Sequence, residues 1–198
     1  MKIYDITREL FSAPVYPGDP APRKELLSSM EQGDPYNLTA LSLCAHNGTH
    51  LDAPRHFIKD GQTINELPLE KTVGYVYVAE HTGRVLREDA EGMLEKAKRA
   101  LGEAPKKLLI KGDAEVTLSA ARYFARAGLE LLGNESQTVG PEDAPMAVHR
   151  ALLGAGTVLL EGVVLEDVPE GVYFLSAAPM LLEGADGAPV RAYLIKES

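Results

Sequence analysis

Only one cysteine, Cys44, occurs among the 198 residues, so the chain cannot form an internal disulfide. Cysteine usage this low is typical of proteins from the reducing cytoplasm. The sequence also lacks any apolar run that approaches the roughly 20 residues of a membrane span. Residues 1–5 lack the basic start and apolar stretch of a signal peptide. These absences disfavour disulfide-stapled and transmembrane proteins, and we expect a cytoplasmic protein without a membrane partner.

Basic residues are scarce relative to acidic ones. The chain has 20 Lys and Arg against 29 Asp and Glu, which gives a formal net charge of -9. Nucleic-acid binding normally needs clustered Lys and Arg, so we expect no nucleic-acid partner. The chain is 45% hydrophobic and 25% charged, an ordinary globular composition. Its length predicts one domain over residues 1–198 that can bury a core.

The hydrophobic pattern predicts an α/β fold, a single domain of mixed β-sheets with helices. Alternating or β-branched runs predict strands at residues 38–46, 73–80, 108–110, 129–132, 157–161, 172–177 and 190–196. Apolar residues at helical spacing predict helices at 88–101, from Thr117 or Ser119 to about 127, and at 145–153. The proline-rich stretch 14–22 predicts an extended surface loop with a turn at Pro17-Gly18-Asp19.

A histidine cluster carries the clearest chemical signal. Three of the five histidines, His46, His50 and His56, lie within eleven residues, and Asp52 lies between them. All four positions are even, and in an extended chain alternate side chains share one face. Imidazole and carboxylate are ligands for zinc, manganese or iron. A lone histidine is more often a surface or hydrogen-bonded residue, but this combination predicts a metal site.

The backbone around the cluster also favours binding. Gly48 and Pro54 interrupt any helix, and they let the chain bend so that the ligands wrap around a point. His149, in a predicted helix, and Glu161, at the end of an apolar strand, could complete the site, because ligands often bind at strand ends. An exposed helix residue and a solvated strand end are equally open interpretations. His81 stands alone and is predicted to have no such role.

The cluster resembles the hallmark of the cyclase family of metal-dependent hydrolases, which includes bacterial kynurenine formamidases and isatin hydrolases. That hallmark, H-x-G-T-H-x-D-x-P-x-H, is complete from His46 to His56. Further similarity lies in Pro17-Gly18-Asp19, in residues 160–171 and in residues 189–192. The resemblance implies the swivelling β/β/α type of fold that the family has.

The resemblance also implies roles for individual residues. His46 and His50 would bind one metal ion, and His149 a second. Asp52 and Glu161 would bridge the two ions, and His56 would donate and accept protons. The implied cofactor is a divalent metal, zinc or manganese, with up to two ions per subunit. The implied partners are a small-molecule substrate and further copies of the chain, in a homodimer or homotetramer.

The residues expected to line the substrate pocket differ from the formamidase pattern. Tyr16, a candidate substrate-binding residue, stands where formamidases have tryptophan, and residues 134–140 replace their I-D-T-P-S-x-D segment. The leading hypothesis is hydrolysis of a formamide or lactam bond in a small aromatic compound, such as N-formylkynurenine. The alternatives are hydrolysis of another cyclic amide or lactone, a thiol hydrolase using Cys44 with His46, and a non-catalytic protein that binds metal or a small acid.

Overall fold

The computed structural model describes residues 1–142 and 144–197 of the chain. Within them, the strands are β1 (Lys2–Asp5), β2 (Arg23–Ser28), β3 (Leu38–Ser42), β4 (His50–Asp52), β5 (Val73–Glu80), β6 (Gly83–Val85), β7 (Lys107–Lys111), β8 (Ala114–Val116), β9 (Leu131–Asn134), β10 (Val158–Glu161), β11 (Gly171–Ser176), β12 (Gly187–Pro189) and β13 (Tyr193–Lys196). The α-helices are α1 (Arg87–Leu101), α2 (Leu118–Arg126) and α3 (Met146–Leu153). This α/β architecture of mixed sheets confirms the predicted fold class.

A nine-stranded mixed sheet organises the fold, in the order β1-β13-β11-β5-β7-β9-β10-β4-β12. The central strands β5, β7, β9 and β10 run parallel to one another, as expected where helices connect successive strands. The flanking strands pair antiparallel. A separate hairpin, β2–β3, and a small parallel pair, β6–β8, lie outside this sheet.

The sheet is covered on both faces, and its central strands divide their side chains between two apolar cores. In β7, Leu108 and Ile110 pack on the helix side with Phe124 and its neighbours, whereas Leu109 faces the other core. This alternation follows from the two-residue period of a strand. Apolar residues on both faces are the usual signature of parallel strands that are covered by helices. Among the described residues, no helix is long and apolar enough to cross a membrane.

The sequence predicts the long elements well. The strand over residues 73–80 is confirmed at both ends, and the three predicted helices begin within one residue of the observed ones. Thr117, one of the two proposed caps, is the N-cap of α2, since its side chain accepts a hydrogen bond from the Ala120 amide. The turn in the proline-rich stretch is also present, closed by a hydrogen bond from the Asp19 amide to the Tyr16 carbonyl.

Three of the predicted strands have wrong boundaries. The strand predicted over 38–46 ends at Ser42, because Asn47 accepts a hydrogen bond from the Cys44 amide at 2.8 Å and turns the chain. The strand predicted at 129–132 spans Leu131–Asn134, and the one predicted at 190–196 begins at Tyr193. The prediction also missed β1, β2, β4, β6, β8 and β12. Four of these have three residues, too few to show a period, and β2 is exposed on both faces.

Three short strands position the histidine-rich segment. In the antiparallel pair β4–β10, His50 lies opposite Glu161. On its other side β4 pairs with β12, where Asp52 lies opposite Gly187. Segments far apart in the sequence therefore meet around a strand of three residues.

Gly133 in β9 tests how tightly this region is packed. A Cβ atom at this position would lie 2.6 Å from Cδ2 of Leu109 and 2.7 Å from the Leu160 carbonyl oxygen. We expect Gly133→Ala to lower the free energy of unfolding by about 1–3 kcal/mol through overpacking. Because Leu160 precedes Glu161, a predicted metal ligand, we also expect this variant to bind less added zinc.

Urea unfolding and metal content measure both effects. The control is Gly92→Ala, on the exposed face of α1, where a Cβ atom meets nothing within 4 Å. This substitution should stabilise the helix by about 0.5–1 kcal/mol. Equal stability of the two variants would contradict the close packing described here.

Candidate metal centre

The hallmark segment bends around a point instead of running straight. His46 lies in a turn, His50 and Asp52 lie in β4, and His56 ends a short 3-10 helix, Pro54–His56. The explanation that all four share one face of an extended chain is therefore wrong outside β4. Within β4 it holds, because Leu51 points into the opposite core. The second explanation, that the chain bends at Gly48 and Pro54, accounts for how the four side chains come together.

Asp52 lies at the middle of the cluster and is only 1% exposed. Its Oδ1 atom is 2.8 Å from Nδ1 of His46 and 3.5 Å from Nε2 of His50. Its Oδ2 atom is 3.6 Å from Nε2 of His149 and 4.0 Å from Nε2 of His56. The two oxygens of one carboxylate thus face two different sets of imidazoles.

Glu161 faces Asp52 from the end of β10. Its Oε2 atom lies 3.4 Å from Nε2 of His50, and its Oε1 atom lies 3.2 Å from Nε2 of His149. Oε1 also accepts a hydrogen bond from the Val139 amide at 2.7 Å. His149 and Glu161 are each 3% exposed, so neither is a solvated residue. The structure therefore brings together all six of the residues that the sequence nominated for the metal ions and the proton transfer.

Backbone carbonyl groups orient two of the imidazoles. His50 donates from Nδ1 to the Gly48 carbonyl at 3.0 Å, and His149 donates from Nδ1 to the Pro145 carbonyl at 2.9 Å. A carbonyl oxygen only accepts, so both histidines carry their proton on Nδ1 when neutral. Their Nε2 lone pairs then point toward the two carboxylates. This is the arrangement in which a second group fixes the tautomer of a metal-binding histidine.

Asp186 belongs to the cluster, and sequence reasoning missed it. Its Oδ2 atom is 3.0 Å from Nε2 of His46 and 3.1 Å from Nδ1 of His56. The next residue is Gly187, where a Cβ atom would lie 2.7 Å from Cε1 of His46. The Asp-Gly pair in an otherwise unremarkable segment is the only sequence signal that could have indicated this close approach.

The neighbouring carboxylates control the charges of the imidazoles. Burial alone lowers the pKa of His46, but hydrogen bonds to Asp186 and Asp52 outweigh it and raise that pKa to about 11. Burial likewise opposes a positive His50, and contacts with Asp52 and Glu161 raise its pKa to about 10. Hydrogen bonds from the imidazoles hold the pKa of Asp52 well below its usual range, despite complete burial. The centre therefore stabilises positive charge.

The residues present fit a divalent metal ion. Oδ2 of Asp52 is buried and, among the described residues, has no hydrogen-bond partner. A bound cation would satisfy this oxygen. Ligand atoms lie within 4.8 Å of one another in the sets His46–His50–Asp52 and Asp52–His149–Glu161, which share Asp52. Imidazole nitrogen and carboxylate oxygen suit zinc and manganese, and there is no thiolate in either set.

A pocket of about 210 Å³ opens beside the centre. Its described lining residues are Tyr16, Asp19, His46, His56, Phe57, Gln137, Thr138, Pro145, His149 and Glu161. The Tyr16 hydroxyl donates to the Glu142 carbonyl at 3.1 Å, which ties the proline-rich loop to the far wall. Within residues 134–140, Gln137 and Thr138 line the pocket, and Val139 supplies the amide that binds Glu161. The segment that departs from the formamidase pattern is therefore part of both the pocket and the centre.

Cys44, the candidate thiol nucleophile, and His81, for which no role is predicted, lie outside this arrangement. Cys44 is half-buried, and its Sγ atom is 3.9 Å from Oδ2 of Asp19. Both ring nitrogens of His46 contact carboxylates, at 2.8 and 3.0 Å, so His46 is not positioned to activate the thiol. His81 lies away from the cluster and donates to the Arg84 carbonyl at 3.2 Å. The geometry gives no support to a thiol hydrolase.

Comparisons with known proteins agree with the geometry. Residues 4–141 match the Cyclase family model, described as "Putative cyclase". Kynurenine formamidase from Salinibacter ruber is 36% identical over 98% of this chain and 97% of its own length. A solved structure described as a predicted metal-dependent hydrolase from Bacillus stearothermophilus has a TM-score of 0.80 at 28% identity, covering 98% of this chain and 97% of that one. Isatin hydrolase A from Labrenzia aggregata has the same fold, with a TM-score of 0.83 at 23% identity over 99% and 94% of the two chains.

The charges of the centre predict that metal binding displaces protons. At pH 7 the raised pKa values keep His46 and His50 protonated in the metal-free protein, and a ligand nitrogen must lose its proton. We expect zinc binding to release protons, and the affinity to rise as the pH increases from 6 to 9. Titration calorimetry in buffers of different ionisation enthalpy measures the release.

Two histidine variants provide the comparison. His149→Ala should lower the metal content, whereas His81→Ala should bind like the wild type, since His81 lies outside the cluster. Zinc binding whose heat is the same in every buffer, with an affinity that does not change with pH, would contradict the charge arrangement described here.

Proposed function

The chain belongs to the cyclase family, and on that premise we propose that it is a metal-dependent hydrolase of amide bonds in small aromatic compounds. The observation that carries this proposal is the position of Asp52, whose two oxygens face two separate sets of imidazoles, with Glu161 opposite. A structural zinc site normally has one closed shell of four ligands, often including cysteines. The larger donor set beside an open pocket favours catalysis.

We propose that His46 and His50 would hold one divalent ion and His149 a second, with the carboxylates of Asp52 and Glu161 available to both. When bound, a divalent ion would supply Lewis acidity, which lowers the pKa of a bound water molecule and polarises a carbonyl group. The protein residues supply the rest of the chemistry. Asp52 and Glu161 offset the positive charge, while the Gly48 and Pro145 carbonyls keep the ligand nitrogens of His50 and His149 directed inward.

His56 is the residue that we assign to proton transfer. It lies at the boundary between the centre and the pocket, with its side chain 27% exposed. Its Nδ1 atom is held by Asp186, and its Nε2 atom is directed toward Asp52 at 4.0 Å. An imidazole can take up a proton and give it back near neutral pH. His56 would accept a proton as the attacking water forms a bond to the carbonyl carbon, and return it to the departing nitrogen.

The pocket walls support an aromatic substrate. The ring of Phe57 lies 4.5 Å from that of His56 and 4.7 Å from that of His149, between centroids. Tyr16 and Pro145 line the same pocket. A planar ring could stack on these groups, and the small volume favours a compact substrate over a peptide. Because the relatives include kynurenine formamidases and isatin hydrolases, the first compounds to test are formamides and lactams of aromatic amines. N-formylkynurenine is our specific candidate.

The proposal also covers the metal, the cellular compartment and the oligomeric state. We propose zinc or manganese as the metal, since both accept nitrogen and oxygen ligands, and up to two ions per subunit. We propose that the enzyme works in the cytoplasm, as its single cysteine suggests, and as a homodimer or homotetramer. Metal analysis and light scattering of the purified protein test the ion count and the oligomeric state.

Replacement of His56 separates chemistry from metal binding. We expect His56→Ala to keep its metal and its fold, while the hydrolysis rate falls about 10²–10⁴-fold, the usual contribution of general acid–base catalysis. The loss should be smaller for ring-substituted N-formylanilines with better leaving groups, because these need less protonation as they depart. Metal content, melting temperature and rates are measured on one preparation.

The controls define what would contradict the proposal. The wild type should lose activity on chelation and recover it with zinc or manganese, and His81→Ala should behave like the wild type. Loss of metal from His56→Ala, or an equal loss of rate across the series, would make His56 a ligand or a structural residue. Turnover of lactams or lactones without cleavage of formanilides would show that the substrate is a cyclic amide or lactone and not a formamide. Tight metal binding without any turnover would favour a binding protein.

A further inference from the structure

The imidazoles of the centre follow a common rule. Each has one ring nitrogen directed toward Asp52 or Glu161 and the other held by an acceptor outside the centre. For His50 and His149 the outer acceptor is a backbone carbonyl. For both His46 and His56 the outer acceptor is the same atom, Oδ2 of Asp186, at 3.0 and 3.1 Å. The Asp186 carboxylate therefore accepts the outer hydrogen bonds of two histidines, whereas two separate backbone carbonyl groups accept those of the other pair.

The direction of these hydrogen bonds decides the tautomers. An ionised carboxylate only accepts, so Nε2 of His46 and Nδ1 of His56 must both carry a proton. The remaining nitrogen of His46, Nδ1, faces Asp52 at 2.8 Å, and it becomes the nitrogen available to a metal ion once it has lost its own proton. The remaining nitrogen of His56, Nε2, faces the centre and the pocket. The opposite tautomers would direct an N–H group toward the centre from both rings.

Asp186 is itself held by the backbone. Its carbonyl accepts a hydrogen bond from the Ala53 amide at 2.9 Å, and Gly187 begins β12 opposite Asp52. The His46 and His56 rings are also stacked, with centroids 4.0 Å apart and planes inclined by 32°. The carboxylate therefore contacts the edges of two rings that already lie face to face, and it keeps them in register.

We propose that Asp186 is a positioning residue that sets the tautomer and orientation of a metal ligand, His46, and of the proton carrier, His56, at the same time. The proposal rests on the proposed function for the roles of the two histidines. Its consequence is that one substitution weakens metal binding and proton transfer together, although Asp186 contacts neither the substrate nor, in this assignment, the metal.

The test compares Asp186→Ala and Asp186→Asn with the wild type. Groups that orient metal ligands typically contribute about 10–100-fold in metal affinity or activity. We expect Asp186→Ala to bind the same number of zinc ions with about 10–100-fold weaker affinity. Its kcat for an N-formylaniline should fall by a similar factor, with little change in KM. Asp186→Asn keeps an acceptor without the charge, so its losses should be smaller.

Nitrogen-15 NMR of histidine-labelled, zinc-loaded protein adds a readout that a merely structural role would not move. In the wild type, His56 should carry its proton on Nδ1 and His46 on Nε2. In Asp186→Ala, His56 should shift toward a mixture of tautomers, while His50 and His149 stay unchanged. The matched control is Glu183→Gln, an exposed carboxylate in the same segment, which should leave every readout unchanged.

Two results would overturn the proposal. Unchanged zinc affinity, kcat and tautomers in folded Asp186→Ala, or wild-type zinc affinity and kcat in Asp186→Asn, would make Asp186 a bystander. Loss of one zinc ion per subunit would make it a direct ligand, together with His46 and His56, whose ligand atoms form a third possible set. Zinc affinity and NMR need no turnover, so they test Asp186 even if the wild type cleaves no formanilide and the proposed function fails.

Discussion

The rest of the centre depends on one constraint: two buried carboxylates that face the same imidazoles need positive charge close by. Asp52 and Glu161 are both almost fully buried, and each raises the energy of the other's negative charge. Such a pair is stable only with positive charge close by. The imidazoles supply it as protons in the metal-free protein, and divalent ions would supply it in the enzyme that we propose. The same groups thus serve protein stability and metal binding.

Short strands and many backbone hydrogen bonds hold the charged side chains of the centre close together. Strand β4 has three residues, yet it is paired on both sides, and its two outer side chains are directed to the centre. Thr49, just before β4, donates to the Gly162 carbonyl at 2.7 Å and accepts from the Arg8 amide at 2.8 Å. Neighbouring backbone therefore holds the charged side chains in place, which limits the rearrangement that a change of charge would otherwise cause.

How much of the centre is predictable depends on whether the signal is local. The segment from His46 to His56 is dense in unusual residues and can be recognised without any fold. His149 and Glu161 look ordinary alone, and the family resemblance was needed to favour them over solvent exposure. Asp186 has only a weak local signal, the Asp-Gly pair, because it is one of 29 acidic residues and lies 140 residues from His46. Its role appears only when the register of β4 and β12 is known.

The pairing of β4 with β10 and β12 also has a consequence for how the protein is made. Synthesis proceeds from the N-terminus, so the histidine-rich segment leaves the ribosome long before the strands that flank it. Thr49 must wait for Gly162, 113 residues later, and His46 for Asp186, 140 residues later. Contacts this distant in sequence form slowly. The nascent chain therefore carries three histidines and an aspartate without their later partners, and the centre forms only when nearly all of the sheet has been assembled.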